Sequence, residues 1–171
     1  MTADELKAKQ APFKAKYKEN PATARQTLTA QGTLGAADVT CNVASFRGSV
    51  PAGLHPATGG DGAAACSADM LLQALVGCAG VTLAAVATAL GIRFRGGTVK
   101  AEGDLDFRGT LGVSKDAPVG FTAIRLTFDL DADAAPEQLE TLMKLTKRYC
   151  VVYQTLVNSP ALSETCRAPK M

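Results

Sequence analysis

The stretch LLQALVGCAGVTLAAVATALG, residues 71–91, has no charged side chain and carries a cysteine, Cys78, in its first half. Extended to Met70 and Ile92 it is long enough to cross a bilayer. A helix buried on every side in a soluble core has the same pattern. Three features favour the core. Roughly half of the residues are Ala, Gly, Thr or Gln, which partition weakly into lipid. No aromatic belt flanks the segment. Alternating strands elsewhere in the chain need apolar cover. Ser67 is the expected N-cap, Asp69 the first-turn anion and Gly91 the stop. Ala74, Gly77, Gly80 and Ala84 let a second backbone approach closely. A helix apolar all round in so small a domain also calls for a partner subunit over one side.

The rest of the chain fits one domain, residues 1–171. A net charge of +2 and the absence of Trp argue against nucleic acid and against an anionic membrane surface. The start, MTADELKAKQ, lacks the apolar stretch of a secretory signal, so a reducing, cytoplasmic setting is expected. Five cysteines, at 41, 66, 78, 150 and 166, are then not a disulfide framework. They include no C-x-x-C pair, and His55 is the lone imidazole, so neither a tetrahedral zinc site nor a thioredoxin-type motif is expected.

Residues 1–21 read as a basic helical extension, with a Thr2/Glu5 capping box, an apolar face of Leu6, Phe13 and Tyr17, and a breaker at Pro12. Strands are expected over 25–32 and 38–46, the second with Val39, Cys41 and Val43 on one face. The Gly/Pro-rich tract 48–66 reads as a long loop. TVKAEGDLDF (98–107) and FTAIRLTFDL (121–130) alternate strictly and form an antiparallel pair, with Val99, Ala101, Leu105 and Phe107 facing one way on the first. Pro136 opens a helix whose buried stripe is Leu139, Leu142, Met143, Thr146, Tyr149 and Cys150. Cys150 either ends that stripe or begins the next segment. Residues 159–171 form a loose tail. The order gives an α+β fold, an antiparallel sheet packed on a long central helix.

Cys41, Cys66 and Cys166 read as packing or surface residues. Cys78 has two readings, a small core side chain or a reactive thiol. The second requires a thiolate, hence a nearby cation or polar donors, and the helix offers no cation.

SADMLLQALVGCAGVTL (67–83) resembles the central-helix motif of the OsmC/Ohr family of thiol peroxidases, Ser-Pro-x-Glu-Leu-Leu, an Ala/Gly-rich turn, then Cys. CVVYQTL (150–156) resembles the second motif, Cys-Pro-Val-Ser-x-Thr-Leu. DLDFRGTLGV and PVGFTAIRLTF are similar to the family's sheet hairpin, and the likeness covers roughly 25–158. It implies an intertwined homodimer in which Cys78 attacks an organic hydroperoxide and becomes a sulfenic acid. Cys150 then resolves it as a disulfide, and a dithiol or lipoyl-type reductant restores both thiols. It also implies an arginine that activates Cys78 and a carboxylate that orients the arginine.

The sequence departs from that pattern in three places. Asp69 stands where relatives have Glu. The turn QGTLG (31–35) lacks the family's arginine, which leaves Arg47 as the substitute and Arg25 as the next choice. Val151 replaces the proline after the second cysteine, and Arg148 and His55 read as a solvated cation and a turn residue. Two alternatives stay open: a family-fold protein that senses redox state or binds a small apolar ligand, and an interaction protein whose cysteines only pack.

Overall fold

Helix α2, Ser67–Leu90, organises the computed structural model, which describes residues 1–167. Its 24 residues make it about 36 Å long. Leu75, Ala79, Leu83 and Ala87, four residues apart, form its buried stripe. The helix begins one residue earlier than expected: Cys66 is the N-cap, without a side-chain bond, and Ser67 is the first helical residue. A two-residue strand ending at Cys66 runs directly into the helix and fixes that start. Gly91 ends it at φ 72°, a left-handed conformation that costs glycine nothing, and its N–H donates to the carbonyls of Ala87 and Thr88.

The described residues form two sheets, and the first of them meets α2 chiefly through its last strand. The first has the order β1 (Gly32–Leu34), β2 (Cys41–Ser45), β3 (Gly48–Gly53), β4 (Ala65–Cys66); the first three are antiparallel and β4 is parallel to β3. Residues 48–66 are therefore not one long loop. Pro51 and the small residues around it hide the alternation of a strand whose partners are Cys41–Ser45. Only the stretch between β3 and β4 remains a loop, and it contains a 3₁₀ turn at Pro56–Thr58. The strand expected over 25–32 does not form: residues 25–31 carry no strand, and β1 begins only at Gly32, where a ladder partner on β2 is present. Val39 precedes β2 and is exposed, while Cys41 and Val43 are half-buried.

The second sheet pairs β5 (Arg93–Asp104) with β6 (Ala123–Asp133), antiparallel, with an irregularity at Phe94/Gly96. Ile124, Leu126, Phe128 and Leu130 alternate inward as expected. Leu105 and Phe107 lie beyond β5, and Phe107 opens a one-turn helix, α3 (Phe107–Thr110), capped by Asp106.

Helix α4 (Pro136–Tyr149) begins at its proline and lays Leu142 and Thr146 against α2. Tyr149 departs from the expected stripe. It is the last residue of α4, and its ring is exposed under the guanidinium of Arg148. Helix α5 (Val151–Val157) follows after one residue. The core joins Leu83, Ala87, Ile92 and Leu142, with Phe94, Phe128 and Leu130 packed on it.

Helix α1 (Ala3–Glu19) has the Thr2/Glu5 capping box and runs through Pro12 without breaking. It touches α2 but buries none of its residues. Residues 159–167 carry no helix or strand; the last four positions of the expected tail lie outside the described residues.

The described chain exposes 13122 Å². A compact monomer of 17.7 kDa exposes about 7,900 Å². Much of the excess is apolar: the most apolar window of α2 is 28% buried, and Val81 on its open side is 74% exposed. The length and composition of α2 would also suit a membrane span. Strand β5, itself in an open two-stranded sheet, packs along this helix, and lipid does not tolerate an open sheet edge.

Leu142 is fully buried, so Leu142→Ala is expected to lower stability by about 2–5 kcal/mol in urea denaturation. A loss below about 1 kcal/mol would contradict this core.

Candidate active site

Cys78 sits halfway along α2 and is half-buried. Cys150 is 1% exposed and occupies the single residue between α4 and α5. It serves both helices: its N–H donates to Thr146 at 2.9 Å, and its carbonyl accepts from Gln154 at 2.9 Å. Both sequence readings of Cys150 therefore hold at once. Its backbone is extended (φ −74°, ψ 109°), so the chain bends there and α5 starts afresh with free amides.

Those amides meet the Cys78 thiol. Burial pushes that thiol up, but the backbone N–H groups of Val152 and Val151, the Cys150 thiol and the Thr82 hydroxyl all bond to it, and together they hold it below the ordinary thiol value. Thr82 lies one turn further along α2. Cys150 goes the other way. Burial raises it first, and the N–H groups of Tyr153 and Val152 do not offset this. Donating its own proton toward Cys78, and lying beside that negative sulfur, raise it further. The two thiols are thus shifted in opposite directions, Cys78 down and Cys150 up, so Cys78 is the more readily ionised of the pair.

A cleft of about 730 Å³ is lined by Leu71 and Leu75 of α2, Ile124 and Leu126 of β6, and Tyr153 and Leu156 of α5; neither Cys78 nor Cys150 lines it. Leu75 lies one turn before Cys78. The cleft is largely apolar, with Lys147 at its wall.

The other expected site residues lie elsewhere in the chain. Arg47 is exposed in the β2–β3 turn, its guanidinium 5.8 Å from the Phe46 ring. Arg25 is exposed after a short 3₁₀ turn at Pro21–Ala24. Asp69 is exposed in the first turn of α2, nine residues and about 13 Å from Cys78 along the axis. No guanidinium is among the groups that act on Cys78. His55 is a turn residue, as expected: its Nδ1 accepts from Ala57 N–H at 3.0 Å, and its ring stacks on Phe107. Among the described residues, no three His, Cys, Asp or Glu side chains gather to hold a metal ion.

Sequence reading missed the donors. Thr82 was visible as the residue four after Cys78. The Val151 amide was visible as the departure itself, since a proline there would bring no N–H. Val151→Pro fits the first position of α5 and removes one donor to the Cys78 thiolate. In wild-type protein, the pH midpoint of Cys78 alkylation by iodoacetamide, mapped by mass, is expected below that of a free cysteine. In Val151→Pro it moves up. An unchanged midpoint would show that the Val151 amide does not support the thiolate.

Comparison with known proteins bears on the fold. The family model described as OsmC-like protein matches residues 59–165, well over half of the chain. An OsmC-like protein from Mycoplasma pneumoniae superposes with a TM-score of 0.65 at 14% identity, covering 78% of this chain and 89% of that one. An organic hydroperoxide resistance protein OsmC from Legionella pneumophila gives 0.60 at 14%, covering 78% and 93%. The organic hydroperoxide resistance protein OhrB of Bacillus subtilis gives 0.53 at 16%, with the same coverage. No curated protein matches the sequence. At these identities the solved structures speak for the α+β fold alone. The match of the family model, over the span that holds α2 and both cysteines, makes this chain a member of the OsmC-like protein family.

Proposed function

We propose that the protein is a cysteine-based peroxidase that reduces organic hydroperoxides with electrons from a thiol. The observation that carries this reading is the placement of the Cys78 sulfur among the Val151 and Val152 amides, the Thr82 hydroxyl and the Cys150 thiol. The Cys78 thiolate attacks the distal oxygen of the hydroperoxide. The O–O bond breaks, an alcohol leaves after taking up a proton, and Cys78 becomes a sulfenic acid. The Cys150 sulfur then attacks the Cys78 sulfur, the S–O bond breaks, and the hydroxyl leaves as water with the Cys150 proton. A dithiol of lipoyl type, in a reducing cytoplasmic setting, exchanges with the disulfide and is itself oxidised. The apolar cleft that begins at Leu75, one turn before Cys78, supports an organic over an inorganic peroxide.

The active form in this reading is an intertwined homodimer. Its support is the excess exposed surface and the uncovered side of α2. The β1–β4 sheet rests on its own chain chiefly through β4 against α2, so its β2–β3 turn is free to reach a second copy. Arg47 on that turn is then the cation brought to the partner's Cys78, with the first-turn carboxylate Asp69 to orient it. Light scattering at micromolar concentration is expected to give twice the chain mass; a stable monomer would exclude this arrangement.

The test of the chemistry is turnover of cumene hydroperoxide with dihydrolipoamide. Cys78→Ser is expected to abolish it. Cys150→Ser is expected to leave a Cys78 sulfenic acid that dimedone traps. Undiminished turnover in Cys78→Ser would move the chemistry elsewhere. Oxidation of the wild-type pair without turnover would favour a redox sensor.

A further inference from the structure

Thr146 is the one buried polar side chain among the described residues whose oxygen has no hydrogen-bond partner in the protein. It is 1% exposed. A threonine in a helix ordinarily returns its hydroxyl to a carbonyl one turn back. Thr146 does not, although leaving a buried hydroxyl unpaired is costly. Its position is specific. It lies exactly one turn before Cys150 on the buried stripe of α4, and its carbonyl already receives the Cys150 N–H. That backbone bond ties two buried residues, Thr146 and Cys150, together at the C-terminal end of α4.

The resolving step needs a donor at this place. In the reduced protein, Cys150 gives its proton toward the Cys78 sulfur. Once Cys78 carries an oxygen, the Cys150 proton passes to that oxygen, and Cys150 must attack as a thiolate while buried. A negative sulfur in a buried site needs a hydrogen bond.

Resting on the peroxidase reading, we infer that Thr146 is the positioning residue of the resolving step: its hydroxyl donates to the Cys150 sulfur after Cys78 is oxidised and holds it as the attacking thiolate. The balance is that of the proposed cycle. The Cys150 proton leaves with the sulfenic hydroxyl as water, the S–S bond forms, and the Thr146 hydroxyl keeps its own proton.

The test separates the two half-steps in wild-type, Thr146→Val and Thr146→Ser proteins. Each is mixed with cumene hydroperoxide without reductant, quenched at intervals with dimedone and N-ethylmaleimide, and weighed intact. Valine keeps the shape and removes an unpaired buried group, so Thr146→Val is expected to be no less stable in urea. The first step, loss of the free Cys78 thiol, is expected to be unchanged in it. Disulfide formation is expected to slow by at least about tenfold, with the dimedone adduct on Cys78 accumulating, and to recover in Thr146→Ser. Disulfide formation at the wild-type rate in Thr146→Val, or equal slowing of both steps, would overturn the role of Thr146 and leave the peroxidase reading standing. Wild-type protein that forms neither adduct nor disulfide would overturn both.

Discussion

Helix α2 is apolar around its circumference, and one chain buries only one side of it. Helices α4 and α5 and strand β5 are the main elements packed on it, with α1 and β4 touching it as well. Ala74, Gly77 and Val81 stay exposed. That imbalance explains both the large free surface and the small number of fully buried side chains. It also sets the chemistry. A thiol in such a helix would be inert if the fold enclosed it in hydrocarbon alone. What changes its character is the element laid against it.

That element is the break between α4 and α5. A continuous helix through residue 150 would spend its amides on carbonyls four residues back. Bending the chain at Cys150 frees the amides of Val151 and Val152 and aims them at Cys78. The same bend buries Cys150 against that sulfur. Donors and neighbouring thiol therefore arrive together, from one local change of backbone direction. Valine at position 151 has an N–H that a proline would lack, and that N–H is one of the donors to Cys78.

Long, periodic elements were legible in the sequence: α2, the β5–β6 pair and the amphipathic α4 all follow from apolar spacing, and Gly91 and Pro136 mark ends for local steric reasons. The N-terminal sheet was not. Strands β1 and β4 have three and two residues, too short to show a period, and β3 carries Pro51 and glycines. Such strands exist because a partner strand is present, which composition does not record. For the site, motif spacing pointed to Cys78 and Cys150. The backbone donors left no trace, since an amide belongs to every residue except proline. Arg47 and Asp69 were chosen by motif position, and within one chain neither reaches Cys78.

The central claim is that Cys78 and Cys150 form one redox pair. Its most direct measurement is the intact mass and peptide map of the reduced protein after one equivalent of cumene hydroperoxide. The account predicts a mass lower by two hydrogens and a single crosslinked peptide joining Cys78 to Cys150. Both thiols unmodified, or a crosslink that joins any other cysteines, would contradict it.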